Sequence, residues 1–435
     1  MTVNPYKVVI VGGGAGGLEL AAKLGGRFGP GHIVLIDRAA YHIWKPSLHE
    51  VAAGTLDIHR EGLSYFMLAK DCGFTFIRGE MAQIDCEAKF VSLLPVLGEQ
   101  QEEVFPARKL SYDTLVLAVG SKSNFFDTPG ASEFAQALDS TDQAERFRLK
   151  LLHALAKADR RKAEDSGHVL NIAIVGAGAT GVELAAELTQ ACADVAFYGL
   201  ENLDPAKDVQ ITLLEGAPRI LSALPEKMST AAQQLLQARG VAIKTSVRIA
   251  SVDAHSLHDS QGECYPADLC VWAAGIKAPA FLAQLGLACN RINQVIVDKR
   301  LCTSDPSVFA IGDCAQASWG DEGAFLPARA QVAHQQAAFL RPILAARIQG
   351  APPESGEFRY RDYGSLVSIG HSRGVGSLMG VLTGKGLFVE GVFARLMYMS
   401  LHLMHHLAFL GLVRTGFLAI GRLFLKRGAP RVKLH

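Results

Sequence analysis

Runs of apolar residues recur along the chain, and most are closed by glycine. Lys7–Val11 and Ile172–Val175 show no apolar–polar alternation, as expected of strands covered on both faces. His32–Ile36, Phe74–Ile77, Tyr112–Ser121, Val209–Leu214, Arg239–Lys244, Asp268–Ala274, Gln294–Val297 and Val308–Ala315 share this strand character. Val91–Phe105 predicts a hairpin around a Gly-Glu-Gln-Gln-Glu-Glu stretch. Phe134–Asp165 predicts a charged helix stopped by Ser166-Gly167. Ala328–Arg347 predicts a helix begun by Pro327, whose missing N–H is no loss in a first turn. Tyr41–Thr55 mixes aromatic, basic and proline residues and is read as irregular, either a loop against a cofactor or a surface connection. Strands alternating with helices predict an α/β protein with parallel sheets.

Two of these segments are copies of each other. Val8–Leu24 and Ile172–Leu188 agree at 11 of 17 positions, and both contain G-x-G-x-x-G behind a strand and before a helix. In that motif the first glycine makes the tight turn and the second lets a pyrophosphate approach the backbone. The third lets helix and strand pack closely, and the helix N-terminus offers free N–H groups to the phosphates. These positions are Gly12, Gly14 and Gly17 in the first copy and Gly176, Gly178 and Gly181 in the second. Asp37 and Glu215 end the next strands, where a carboxylate can hold a ribose hydroxyl pair. The spacing from first glycine to acid is 25 residues in one copy and 39 in the other, an excess assigned to a polar insertion around Glu201–Lys207. ADLCVWAAG echoes YDTLVLAVG, so the duplication extends beyond the glycine loop.

The 435 residues suit two or three domains. The net charge of +1 hides an asymmetry. Gly391–His435 holds seven Lys/Arg and no Asp/Glu, leaving 36 basic against 42 acidic residues in the rest. An acidic body thus carries a basic, apolar tail. Nothing in this balance points to nucleic acid. The eight cysteines show neither CxxC nor metal spacing, which predicts no disulfide framework and a reducing compartment. The short, polar start predicts no signal peptide.

Two glycine loops, two strand-Ala-x-Gly endings and the late Gly312-Asp313 resemble the flavoproteins with two dinucleotide-binding domains, over roughly residues 7–345. The resemblance implies two Rossmann-like domains. One binds FAD through Gly12, Gly13, Gly14, Ala15, Gly17, Asp37, Lys45, Ala118, Gly120 and Asp313. The other binds NADH through Gly176, Gly178, Gly181, Glu215 and Gly275. Glu215 favours NADH over NADPH because a carboxylate repels a 2′-phosphate, and Arg219 nearby softens that preference. Disulfide reductases of this fold need a redox-active cysteine pair. Here no Cys precedes Cys72 and none lies between Cys86 and Cys192, which also counts against a sulfide-oxidising quinone reductase.

Ala330–Gln335, AQVAHQ, resembles the A-Q-x-A-x-Q motif of the type II NADH dehydrogenases, single-subunit NADH:quinone oxidoreductases. WKPSLHEVAAG, VGAGATGVELAAEL, VWAAGIKAP and DYGSLVSIG…VGSLMG resemble the same family. Gln331 and Gln335, spaced i, i+4 on one helix face, are expected to hydrogen-bond a quinone carbonyl beside the flavin. Glu183 is expected near nicotinamide and flavin with a part in proton transfer. Its counterpart in the first copy is Glu19. His371 stands where some relatives carry Lys. The implied domains are 1–125 and 286–350 for FAD, 126–285 for NADH, and 351–435 as a C-terminal section.

Leu396–Val413 contains no Lys, Arg, Asp or Glu, at the threshold length for a spanning helix. On a helical wheel Arg395, His402 and His406 gather on one side and leave a wide apolar face. With Arg414, Arg422, Lys426 and Arg427, this suits helices lying in a membrane interface against anionic headgroups. A hydrophobic dimer seam would show part of the same pattern. His402, His405 and His406 have no carboxylate or Cys nearby in sequence, and no metal site is expected. The expected protein is thus a homodimeric, non-pumping NADH:quinone oxidoreductase. It uses FAD, acts on ubiquinone or menaquinone, and is peripheral to the lipid surface on the cytoplasmic face of the cell membrane. A soluble NADH reductase of a protein partner and a non-catalytic redox sensor are the alternatives.

Overall fold

The computed structural model describes residues 6–320, 323–352, 355–370, 373–379, 386–428 and 432–434. The first apolar run forms the strand Tyr6–Val11. It lies parallel to Ile33–Asp37 on one side and to Arg108–Leu117 on the other. Thr75–Arg78 extends the sheet beyond Ile33–Asp37, and Val308–Ala310 joins Arg108–Leu117 in parallel. Phe90–Leu93 pairs antiparallel with the start of Arg108–Leu117, and Met81–Asp85 completes seven strands. Val8, Val9 and Ile10 are fully buried, as an unalternating run requires.

The second sheet has the order Ala242–Lys244, Val209–Leu214, Leu170–Val175, Leu269–Trp272, all parallel. It matches Thr75–Arg78, Ile33–Asp37, Tyr6–Val11, Arg108–Leu117 strand for strand. The copied glycine strand is central in each sheet, and the strand that leads to Ala-x-Gly lies on its other side. A two-stranded ribbon, Lys122–Ser123 against Ile276–Lys277, joins the chain beyond those two matched endings. Val308–Ala310 returns to the first sheet after the whole second sheet has been made, so the second unit interrupts the first.

Several elements differ from expectation. Tyr41–Thr55 is not wholly irregular: Lys45–Ser47 is a 3-10 turn and Leu48–Ala53 a helix, closed by Gly54 at φ 79°. The charged helix begins at Thr141 because the Ser140 hydroxyl accepts from the Gln143 N–H, giving Thr141–Glu164. The late helix is Ala330–Gln349. Pro327 lies before it, and Pro342 is tolerated within it. The extra spacing in the second copy has two sources. Its glycine helix, Ala179–Gly199, has 21 residues against 14 in Ala15–Phe28, and the short helix Pro205–Asp208 adds to the connection.

The C-terminal section is an antiparallel sheet, Gly364–Ile369, Arg373–Met379 and Gly386–Glu390, followed by Gly391–Gly428. That helix is broken at Gly411, where φ 76° and ψ 171° interrupt the turn. Met397–Gly421 is long and apolar enough to cross a membrane by length and composition. The break leaves pieces of about 14 and 10 residues, roughly 21 and 15 Å long, both short of a hydrocarbon core of about 30 Å. His405 and His406 are buried against the protein, while Met404, Leu412, Val413 and Phe417 are 62–79% exposed. The histidine side therefore faces inward and the apolar side outward. The chain end then returns to the body: the Lys433 N–H donates to the Gly54 carbonyl, and Arg148 donates to the Lys433 carbonyl.

Candidate active site

Both glycine loops form the cradles that their sequences predict. Gly12 has φ 105°, and a Cβ there would stand 2.3 Å from the Ala118 carbonyl oxygen. Gly176 has φ 99°, and its Cβ would stand 2.6 Å from the Ala274 nitrogen. A Cβ on Gly17 or Gly181 would lie 1.9 Å from the carbonyl oxygen of Gly12 or Gly176. Around Gly14 and Gly178 nothing lies within 4 Å of a Cβ position. These open places, at the starts of Ala15–Phe28 and Ala179–Gly199, fit an approaching pyrophosphate.

The two acids repeat as well. The Asp37 carboxylate accepts from the N–H groups of Gly13 (2.6 Å) and Ala39 (2.8 Å). Glu215 accepts from those of Ala177 (2.6 Å) and Ala217 (2.8 Å). Each acid is thus locked to its own glycine loop, with lone pairs left for a ribose. Gly275, at φ 65°, packs on the Phe126 ring. Lys45, Ser121 and Asp313 converge at the edge of the first sheet: Lys45 Nζ donates to the Ser121 carbonyl (2.6 Å), and Ser121 Oγ to Asp313 (2.8 Å). Gly120, at φ 71° with no neighbour at its Cβ position, leaves open space beside them.

Glu183 is buried between the second glycine helix and the C-terminal sheet. Its Oε1 accepts from the Ser368 N–H at 3.0 Å, and Oε2 lies 3.5 Å from His49 Nδ1. Burial pushes this carboxyl well above the ordinary value. The Ser368 N–H opposes that, and the charges of Glu50 and Glu187 add to it. The group is therefore suited to hold a proton at neutral pH.

Gln331 and Gln335 lie on one helix face as expected, but both amides already have partners. Gln331 donates to Asp362 (3.3 Å) and the Gly364 carbonyl (3.1 Å) and accepts from Tyr363 N–H. Gln335 exchanges hydrogen bonds with the backbone of Arg361 (2.8 and 2.9 Å). The pair fastens the approach to the C-terminal sheet. The fully buried Gln336, not singled out from sequence, accepts from the Gly312 N–H at 2.6 Å, next to Asp313. His371 lies outside the described residues.

A second unforeseen feature is a chain of histidines. His42 Nδ1 contacts the Gly13 carbonyl (3.0 Å), and its Nε2 contacts His405 Nε2 (2.6 Å). His405 Nδ1 contacts His334 Nε2 (3.2 Å), and His334 pairs with Glu19, which pairs with Lys23. His402 stacks on Trp44. The terminal helix is thereby tied to the first glycine loop. Burial lowers His42 to about 4, so the relay is uncharged there at neutral pH.

The family model of pyridine nucleotide-disulphide oxidoreductases matches residues 6–337. A type II NADH:quinone oxidoreductase of Haemophilus influenzae is 41% identical over 445 residues, covering 98% of this chain and 99% of that protein. The chain belongs to the type II NADH:quinone oxidoreductases. The Mycobacterium tuberculosis member Ndh is 29% identical, covering 93% of this chain and 85% of its own length. The structure of NDH2 from Plasmodium falciparum in complex with NADH shares the fold, with a TM-score of 0.79 at 19% identity over 99% of this chain and 100% of that one. All eight cysteines are free thiols in the structure. Burial pushes Cys192, Cys270 and Cys314 up to about 12, which suits packing rather than redox exchange.

His42, His334 and His405 lie far apart in sequence, and no motif marked them as partners. His49 lies within WKPSLHEVAAG, but only the fold sets it beside Glu183.

Proposed function

We propose that this chain is a membrane-associated respiratory NADH:quinone oxidoreductase that uses FAD and does not pump ions. The observation that carries the reading is the pair of intact dinucleotide cradles in a chain related end to end to type II enzymes. Residues 1–125 and 286–350 serve FAD, 126–285 serve NADH, and 351–435 form the membrane-facing section. FAD, when bound, supplies the hydride acceptor and the electron donor for quinone.

The residues supply binding, orientation and protons. Gly12–Gly17 and Asp37 would hold FAD's pyrophosphate and ribose, and Lys45, Gly120 and Asp313 would contribute further contacts to it. Gly176–Gly181, Glu215 and Gly275 hold NADH. Reduction of quinone by NADH consumes one proton from the medium, and Glu183 holds that proton at its buried carboxyl. The amides of Gln331 and Gln335 position the quinone side of the site, exchanging their bonds with 361–364 for the quinone carbonyl. His371 is a further candidate for a part in the reaction.

The exposed Leu412, Val413 and Phe417 enter the lipid interface on the cytoplasmic face, with Arg414 at the headgroups. The enzyme acts as a homodimer on ubiquinone or menaquinone. Anaerobic NADH should bleach the flavin of purified holoenzyme, and a soluble quinone analogue should restore its colour. Bound flavin that NADH does not bleach would falsify the reading. Deleting residues after Gly391 should release the protein from membranes.

A further inference from the structure

Beside Glu183, a row of titratable side chains runs from the buried carboxyl to a partly exposed one. His49 lies on the helix Leu48–Ala53, and its ring stands between two carboxyl groups. Nδ1 is 3.5 Å from Glu183 Oε2, and Nε2 is 4.0 Å from Glu50 Oε1. The side chains of His49 and Glu183 are 1% and 7% exposed, against 28% for Glu50. His49 Nε2 is buried without a hydrogen-bond partner. The Ser368 N–H holds the opposite oxygen of Glu183 and so leaves Oε2 to the imidazole. The sequence of groups from outside to inside is therefore carboxylate, imidazole, carboxyl. An imidazole can accept a proton on one nitrogen while giving one from the other.

We propose that His49 resupplies the proton of Glu183 from solvent by way of Glu50. The proposal rests on the reading that Glu183 gives up a proton during quinone reduction. In the step, Nε2 takes a proton from Glu50 or its water, and the N–H bond at Nδ1 breaks as an O–H bond forms on Glu183. No electrons move. Ring rotation or tautomer exchange returns His49 to its starting form.

Three elements surround the relay. The glycine helix adds Glu187, whose Oε2 accepts from Thr55 Oγ1 at 3.0 Å. Burial holds His49 below the ordinary imidazole value against the pull of Glu187 and the Pro46 backbone, so the ring rests neutral, the form that can take a proton on one nitrogen and give one from the other. The terminal helix adds Tyr398, a phenol that burial and the charges of Glu183, Glu50 and Glu187 keep protonated. The C-terminal strand contributes the Ser368 N–H.

The test has two readouts. In holoenzyme without NADH or quinone, infrared spectroscopy follows deuterium exchange of the protonated-carboxyl band that Glu183→Gln removes. His49→Gln and the more solvent-exposed Glu50→Gln should each slow this exchange by about tenfold or more. In turnover, His49→Gln should lower quinone-linked NADH oxidation by roughly tenfold to a hundredfold and enlarge the solvent deuterium effect. Added imidazole should restore part of the rate. Unchanged exchange and unchanged turnover in both variants would overturn the relay while leaving the role of Glu183 standing. Absence of the band in the wild type, or full turnover by Glu183→Gln, would instead overturn the reading beneath it. Equal losses in flavin bleaching and quinone-linked turnover, with no imidazole rescue, would make His49 structural and overturn the relay as well.

Discussion

Glu19 and Glu183 each stand two residues beyond the last glycine of their loop, on the buried side of the following helix. Glu19 meets Lys23 and His334. Burial alone would raise its carboxyl, but those two partners outweigh it and hold Glu19 below the ordinary value. Glu183 meets a backbone N–H, a buried imidazole and two further carboxyl groups, and it is pushed the other way. One sequence motif thus produces an acid with lowered proton affinity in the first unit and one with raised proton affinity in the second. The difference comes from what packs on each helix: Ala330–Gln349 supplies His334 to the first, while Gly364–Ile369 and Leu48–Ala53 close over the second.

The comparison breaks most readily at the glycines. Gly12→Ala and Gly176→Ala both force a side chain onto backbone at positive φ, at about 3 kcal/mol or more. The first should yield protein without flavin absorbance. The second should keep the yellow colour but lose bleaching by NADH. If both variants lost FAD alike, the assignment of the two cradles would be wrong.

Glu215→Ala should raise the KM for NADH by about tenfold to a hundredfold, or roughly 1.4–2.8 kcal/mol. NADPH should be affected less, so the ratio of kcat/KM for the two cofactors narrows. A uniform loss for both would show that Glu215 only braces the Ala177 and Ala217 N–H groups.

The two glutamates themselves should respond with opposite sign. Glu19 has a depressed folded value, so its stabilisation is present above the unfolded carboxylate range and lost as pH falls through the folded value. Glu19→Gln should therefore destabilise by about 1–3 kcal/mol at neutral pH, less in acid. Glu183 has a raised value, so the stability it supplies at low pH is lost as pH rises through that value. Glu183→Gln should be neutral or stabilising at neutral and alkaline pH, within about 1 kcal/mol. Urea midpoints across that range read both effects, and equal destabilisation would erase the distinction.

His405→Ala removes both joints of the histidine chain, worth about 1–2 kcal/mol in all. It should expose the terminal helix to protease with flavin still bound. Gly411→Ala should cost about 1 kcal/mol through its positive φ, seen as weaker binding to anionic vesicles.

Much of this architecture was legible in the chain. The unalternating runs became parallel strands, and the 11 shared positions became two sheets with matching strand order. The acids Asp37 and Glu215 fell at the strand tips because each closes the apolar run that follows its glycine helix, whatever the length of the connection. Other features were less legible. The wheel that gathered His402 and His406 on one side identified a two-faced helix correctly, yet amphipathicity cannot say which face the protein covers. Here His405 meets His42 and His334, His402 stacks on Trp44, and the apolar face is left outside. Likewise, i, i+4 spacing put Gln331 and Gln335 on one face but could not show that 361–364 bonds them.

Local chemistry explains the division. Turn geometry, strand burial and the phosphate-binding loop depend on residues close in sequence, so periodicity and glycine positions determined them. The proton affinity of Glu183, the seating of His49 against Glu183 and the inward turn of the tail depend on partners distant in sequence: Ser368 for Glu183, Glu183 for His49, and His42 for His405. Only their packing in the folded chain decided which copy of a shared glutamate has its proton affinity raised and which has it lowered.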